Sequence, residues 1–348
     1  MSDVFTRRFN VLLQTISMFA LTLIVSFLSV KRTVVSLSRI VWVICFTAIL
    51  LLSSITLTKM VLSKTVVETH REYRILMNME IRNQSLARIF MDPVVSPELV
   101  PSQSVSGKGI MDRIRDRGRI GIGFDDEALP FSFFNARGHL VGFDIYFAHR
   151  LAKNLNVSID FIHLDRTQVK EFLEKGICDI VMSAFPIRLD ELGQINFTRS
   201  YMEMKSAFIV KDHRKDEFRK LSDIKSMSDL RIAVTPENSR EERRLISSVL
   251  PNAKVVELIN KKAFFETEDL ADALLTTDKI GKAWALLYPV YGVEVPTPNL
   301  FVYELAYSIP ITSGDDKFLN YLNHWLSLEK TKGELERQFD YWILGNSP

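Results

Sequence analysis

Two charge-free apolar runs, Val11 to Val30 and Ile40 to Thr58, set the start of the chain apart from everything that follows. Each approaches the ~20 apolar residues that span a hydrocarbon core, which predicts transmembrane helices at 11–30 and 40–60. A cleaved signal peptide fits less well, because the first run has no small-residue cleavage site and a second apolar run follows at once. Beyond the second run the pattern stays helical through Met91, with Glu68, Arg71, Glu72 and Arg74 interleaved among apolar residues. This reads as a solvated stalk helix. Pro93, Pro97 and Pro101, then Ser102 to Gly107, read as a linker.

From Gly118 the pattern alternates between strand and helix periods, which predicts an α/β domain. Arg119 to Phe124 is a strand, and Phe143, Phe147, Ala148, Leu151, Ala152 and Leu155 form one apolar helical stripe. A strand follows at Ser158 to Leu164. Val169, Phe172 and Leu173 lie on a short helix that Gly176 ends, and Cys178 to Ala184 is a third strand. Further on, strands are expected at Leu230 to Val234, Lys254 to Leu258 and Asp272 to Thr276. Asn238 or Ser239 is placed to cap a helix starting at Arg240, and Asp278 to Leu287 reads as another helix.

Composition adds exclusions. With 44 basic and 42 acidic residues the net charge is +2, so no nucleic-acid footprint is implied. The two cysteines, Cys45 and Cys178, both sit in apolar segments and do not suggest a disulfide scaffold. There is no nucleophile elbow, P-loop or zinc-protease motif, and the six histidines are scattered singly. Gly121-x-Gly123 lacks the third glycine of a dinucleotide fingerprint, so a plain strand fits better. No cofactor and no metal follows from these residues.

The order of several short motifs is more specific than any one of them. Arg119-Ile-Gly-Ile-Gly-Phe-Asp-Asp126, Leu129-Pro-Phe-Ser-Phe-Phe-Asn135 and Gly138-His-Leu-Val-Gly-Phe-Asp144 precede a helix. Gly176-Ile-Cys-Asp-Ile-Val-Met-Ser183 and Asn196-Phe-Thr198 follow it. In that order and spacing the stretch resembles the first lobe of bacterial solute-binding proteins of family 3. The resemblance implies a two-lobed periplasmic-binding-protein type II domain, preceded here by two transmembrane helices. Lys282-Ala-Trp-Ala-Leu-Leu-Tyr-Pro289, Val293-Glu-Val-Pro296 and Phe339-Asp-Tyr-Trp-Ile-Leu-Gly345 resemble a subgroup fused behind cation-coupled dicarboxylate/amino-acid symporters. This chain begins where the symporter would have ended, so transport activity itself is not expected of it.

The domain plan implied is a membrane hairpin at 1–64, a stalk helix and linker at 65–107, a first lobe at 108–212 plus 301–345, and a second lobe at 213–300. Strands near Ala207 to Val210 and Tyr303 to Ile311 would join the lobes. Lys31, Arg32 and Arg39 in the hairpin connection favour a cytoplasmic connection, although Arg7 and Arg8 pull the other way. The family works outside the cytoplasmic membrane, so the resemblance decides for an external binding domain.

In the family, an acid after the first strand and another in the second lobe hold a ligand ammonium. By position these are Asp125 and Asp278, with a turn acid and a helix cap as their respective alternatives. The arginine that grips a ligand carboxylate aligns with Glu191, and the stacking aromatics align with Ala128 and Arg166. Arg166, at a strand-to-helix connection, is then the expected anion-binding group. Arg188 is either a displaced cation or a surface partner of Glu191. Of Phe131 and Phe133, one is expected in the cleft and one in the core; Phe131 is taken as the cleft residue. Ser183, Asn238 and Ser239 are candidate hydrogen-bond donors, or else caps and strand ends.

The function implied is capture of a small polar or anionic solute, of the amino-acid or organic-acid class, for delivery to or regulation of a membrane partner. A symporter-like transport protein is the partner the resemblance implies, with the lipid bilayer as the anchor. Two alternatives are a sensor signalling through the spans and an enzyme similar to cyclohexadienyl dehydratases, which eliminate water from a small carboxylated ring.

Overall fold

The computed structural model describes residues 73–92, 109–236, 240–267, 269–311 and 316–346, with Leu52, Ser53 and Thr56 from the second apolar run. Apart from those three, the spans expected at 11–30 and 40–60 lie outside the described residues, as do 65–72, the linker 93–107, Asn238 and Ser239. No helix among the described residues is long and apolar enough to cross a membrane. One compact unit, Tyr73–Pro348, holds all that follows.

The stalk expectation is corrected at its C-terminal end. Residues 73–77 are helical, but Ala87–Phe90 is a strand, β1. It pairs in parallel with Ser158–His163, from Ala87 opposite Ile159 to Phe90 opposite Ile162. Arg88 Nε lies 2.8 Å from Asp160 Oδ1 on the neighbouring strand; of the charges read as a solvated helix face, Arg74 is helical and exposed, and Glu68, Arg71 and Glu72 lie outside the described residues. A sheet edge overrides local helical periodicity here.

Helix α1 (Ile110–Arg117) ends at Gly118, whose φ of +64° suits glycine, and leads into β2 (Arg119–Phe124). A hairpin of β3 (Phe133–Phe134) and β4 (Leu140–Val141) then delivers the chain to α2 (Phe143–Leu155). Gly142 at the head of α2 is obligatory. Its φ is +134°, and a Cβ there would meet the Phe131 carbonyl oxygen at 2.2 Å. After β5 (Ser158–His163) come α3 (Val169–Glu174) and β6 (Ile180–Val181). The third strand is shorter than the apolar run Cys178 to Ala184, because Ala184 turns out of it with φ +51°. β7 (Asn196–Phe197) closes this part.

The chain crosses on β8 (Met202–Lys211), which belongs to a second sheet, so sheet membership changes at Met202 rather than at 213. The second lobe carries α4 (Leu221–Ser226), β9 (Arg231–Val234), α5 (Arg240–Val249), β10 (Lys254–Glu257) and α6 (Lys262–Glu266). It is completed by β11 (Ala273–Thr277), α7 (Asp278–Leu287) and β12 (Tyr291–Glu294). The return strand β13 (Val302–Leu305) still pairs with β8, and β14 (Ser308–Ile309) rejoins the first sheet. There are thus two crossings, as a two-lobed fold requires.

The strand orders are β1-β5-β2-β6-β14-β7 and β10-β9-β11-β8-β12. In the first sheet, successive parallel strands lie on opposite sides of β2; in the second, on opposite sides of β9. Each lobe therefore has a switch point at the carboxyl end of its central strand, where open α/β sheets form their crevice. The C-terminal helices α8 (Lys317–Thr331) and α9 (Glu334–Trp342) return to the first lobe. Trp342 packs edge-on against Phe133 at 6.3 Å, and Trp325 Nε1 donates to Asn154 Oδ1 at 3.0 Å. Arg150 with Glu329 and Tyr146 with Glu334 fasten both helices to α2.

Candidate functional site

The two switch points face one another across a small cavity. The first lobe contributes Asp125 and Ala128 from the turn after β2, and Ser183 to Pro186 from the turn after β6. The second contributes Glu242 from the first turn of α5, Thr276 and Thr277 at the carboxyl end of β11, and Leu275 and Ile280. Met204 and Tyr303 line it from the crossing strands. Its volume is about 40 Å³, room for a very small solute or a few waters. The lobes meet beside it. Glu127 Oε2 accepts from the Lys261 N–H at 3.2 Å, and its carbonyl accepts from Trp284 Nε1 at 3.3 Å.

The first-lobe wall is held by hydrogen bonds that the sequence does not advertise. The Asp125 N–H donates to Ser183 Oγ at 2.8 Å, while Asp125 Oδ1 accepts from the Glu127 N–H at 2.8 Å. Ser132 Oγ lies 2.6 Å from Ser183 Oγ. Asp125 and Ser183 thus meet at one site, with Ser183 also securing the turn.

Behind that wall, Asp144 is fully buried. It accepts from the Ala184 N–H at 2.7 Å, from Tyr201 Oη at 3.0 Å and from Tyr307 Oη at 3.1 Å. Tyr201 immediately precedes crossing strand β8, Tyr307 lies just beyond β13, and their rings stack at 4.6 Å. One carboxylate therefore ties a cavity-lining turn to both crossings. Burial pushes its pKa up to about 7, against the opposing pull of its three donors.

Other expected site residues lie elsewhere. Phe131 is in the core, fully buried and edge-on to Phe143 at 5.9 Å, so it is not on the cavity wall. Asp278 is the first residue of α7, not its cap, and accepts from the Lys205 N–H at 3.2 Å, outside the cavity lining. Ser239 is outside the described residues. Arg166 and Arg188 line a different, more polar cavity of about 290 Å³ with Asp190 and Glu191. The Arg166 side chain is 2% exposed and forked onto Glu191, donates to the Pro186 carbonyl at 3.0 Å and lies 4.8 Å over the Phe185 ring. Arg188 sits 3.5 Å from Asp190 and 3.6 Å from Glu191. The positive charge expected to meet a solute anion is met by Glu191 instead.

This pairing has a measurable consequence. Removing one partner of a buried ion pair leaves the other charge uncompensated and costs about 3–5 kcal/mol. Glu191 is 19% exposed and Arg188 also approaches it, so Glu191→Ala is expected near the lower end, about 3 kcal/mol. Adding Arg166→Met should restore most of that in urea unfolding. Equal losses from the single and double substitutions would show that the pair is not what holds this turn.

Glu242 and the two threonines were not identified from sequence. A signal existed for Glu242: Ser239-Arg-Glu-Glu242 fits a capping-box pattern, which places an acid in the first turn of α5 at the second switch point.

A family model for bacterial extracellular solute-binding proteins, family 3, matches residues 120–345. Among curated proteins, the chain is 23% identical over 235 residues to cyclohexadienyl dehydratase of Pseudomonas aeruginosa, covering 67% of this chain and 85% of that one. It is 25% identical over 230 residues to ABC transporter arginine-binding protein 1 of Escherichia coli, covering 65% and 90%. Among solved structures, the ancestral amino acid-binding protein AncCDT-1, described as a precursor of cyclohexadienyl dehydratase, is 28% identical. It aligns with a TM-score of 0.59 over 68% of this chain and all of its own. The solute receptor for L-cysteine of Neisseria gonorrhoeae, at 20% identity and TM-score 0.59, shares the fold, covering 68% of this chain and 94% of its own.

Proposed function

Because the chain belongs to the bacterial extracellular solute-binding proteins of family 3, we propose that its lobes close over a small polar solute at the outer face of a cytoplasmic membrane. The observation that carries this reading is the cavity walled by both lobes and by both crossing strands. Hinge closure about such crossings is the motion by which periplasmic binding proteins capture their ligands. Relatives named as arginine- and histidine-binding proteins support a nitrogen-bearing solute. The apolar runs at 11–30 and 40–60 anchor the domain, and the basic connection between them faces the cytoplasm. A membrane transport protein, symporter-like by the resemblance of its tail motifs, receives the solute or is regulated by it.

The dehydratase-like alternative rests on the Pseudomonas relative. Other relatives are named for what they bind, arginine in one and histidine in two, which makes binding the better reading.

Trp284 provides the test, since its indole N–H bridges the lobes. A captured solute should raise the unfolding midpoint of the full chain, because it binds only the folded form. It should also change tryptophan fluorescence, and Trp284→Phe should abolish that change. Turnover of the solute, or a midpoint indifferent to a broad panel of amino acids, amines and dicarboxylates, would overturn the reading. In intact cells, an impermeant maleimide should label a cysteine at Ser102 and spare one at Ser36. The reverse pattern would overturn the membrane orientation.

A further inference from the structure

Asp144 stands in the first turn of α2 with both carboxyl oxygens engaged and no surface open to water. Oδ2 accepts from the Ala184 N–H at 2.7 Å and from Tyr201 Oη at 3.0 Å, and Oδ1 accepts from Tyr307 Oη at 3.1 Å. Ala184 belongs to the cavity-lining turn, Tyr201 precedes one crossing strand and Tyr307 follows the other. One side chain therefore touches the wall and both of the crossings about which the lobes rotate. Its titratable neighbours are the two tyrosines, since the turn after β6 gives it only a backbone N–H. Elsewhere on α2, Tyr146 turns to Glu334, Arg150 to Glu329 and His149 to Ser85. Among the described residues, no lysine, arginine or histidine is one of the groups that set its protonation.

From this arrangement we infer that Asp144 is a positioning residue for closure: as a carboxylate it pins both crossings to the cavity wall, and as an acid it frees the return crossing at Tyr307. The inference rests on the closure reading above and adds what sets the hinge. Protonation acts on one bond of the three. A carbonyl oxygen at Oδ2 keeps both of its donors, because it has two lone pairs. A proton on Oδ1 makes that oxygen a donor, reverses the bond to Tyr307 and leaves the tyrosine hydroxyl proton to find another acceptor. Both forms are within reach. Burial favours the acid, whereas the three donors and the helix N-terminus favour the carboxylate, leaving the pKa at about 7. Capture is then linked to pH through the hinge rather than through a charge in the cavity.

Pulsed electron resonance on the full chain in mild detergent reads the separation of the lobes. Nitroxides on Lys175→Cys and Lys225→Cys mark one exposed position in each lobe, with Cys45→Ser and Cys178→Ala removing the native thiols. Between pH 8.5 and 5.5 the parent's distance distribution should shift. If two hinge settings differ tenfold in proton affinity, their ratio changes about tenfold over that range. Asp144→Asn resembles the acid, with one oxygen for the Ala184 and Tyr201 donors and an NH2 for Tyr307, so it should show the parent's low-pH distribution even at pH 8.5. Tyr307→Phe removes the bond that a proton reverses and should lose the shift, while Tyr201→Phe should keep it. His163, whose pKa is raised by its bond to Asp126, is the control, and His163→Asn should keep the shift. Unfolding midpoints of all variants check that they fold. A parent indifferent to pH, or a shift that survives either Asp144→Asn or Tyr307→Phe, would overturn the inference. The closure reading is tested separately, because a solute of the panel that raises the unfolding midpoint should shorten the separation. Shortening by solute with no response to pH refutes this inference and leaves that reading standing. A response to pH with none to any solute does the reverse.

Discussion

Between pH 4 and 6.5, Asp144→Asn is expected to tilt the stability profile upward with pH relative to the parent chain, and His149→Asn to tilt it downward. Both residues lie on α2 and both are buried, but their shifts have opposite signs. Asp144 goes from an ordinary 3.8 to about 7, mainly through desolvation. Its folded pKa is raised, so the stabilising contribution is present below pH 4 and is lost as pH rises toward 7. His149 goes from 6.5 to about 4, again mainly through desolvation, with Lys153 adding repulsion. The imidazole is held neutral, and its Nδ1 accepts from the Ser85 N–H at 3.1 Å, a bond that a proton there would break. That contribution is absent at low pH and recovers as pH rises through the unfolded value.

Each slope amounts to about 1.4 kcal/mol per pH unit, so over the shared window the two largely cancel, each worth about 3 kcal/mol. Substituting one exposes the other. Asp179, whose pKa burial also raises, titrates in both variants and drops out of the difference from the parent. Urea unfolding at half-unit pH steps gives the measurement, and the slope is the readout because either substitution also shifts the overall level. Parallel profiles for the parent and both variants would show that neither group carries the shift its burial implies. The result also bears on closure, because Asp144 holds Ala184 and the tyrosines at both crossings.

Periodicity revealed most of the scaffold. The strand Arg119–Phe124 and the helix Asp278–Leu287 begin and end where their apolar patterns do. Where the structure departs from the sequence reading, a distant partner decides. The apolar run after Gly176 yields only Ile180–Val181 as strand, because Ala184 gives its N–H to Asp144, forty positions earlier in the chain. Arg166 stands at a strand-to-helix connection, the right kind of place for an anion-binding group. Its occupant is Glu191, 25 positions along, and spacing does not reveal such a pair. Asp125 was named through the family resemblance, as the acid after the first strand, and Ser183 as a candidate donor at a strand end; a cleft in such folds draws on strand ends. Glu242 was not named, since its place in the wall depends on how the second lobe meets the first.

A chain beginning at residue 109 is expected to be far less stable than one beginning at residue 73, although the family match starts only at Ile120. The segment 73–92 is built into the first lobe. Leu76, Met79 and Ile81 are 4%, 4% and 7% exposed within its core. Asn135 Nδ2 donates to the Met79 carbonyl at 3.0 Å, and the Ala136 N–H to the Met77 carbonyl at 2.8 Å. Burying three such apolar side chains contributes about 1.5–3 kcal/mol each, roughly 5–9 kcal/mol as an upper estimate. A domain of this kind has about 5–15 kcal/mol in total, so the loss is comparable to its whole stability. Removing β1 also uncovers the edge of β5 along Ile159 to Ile162, an unprotected template for intermolecular pairing. Urea unfolding and light scattering on the two truncations should show a collapsed midpoint and aggregation for the shorter one. Matching midpoints and slopes would mean that β1 merely rests on the sheet. With the expected loss, the segment leading in from the proposed anchor is part of the lobe that carries Asp125. β1 is joined to β2, the strand that ends at the Asp125 turn, through β5.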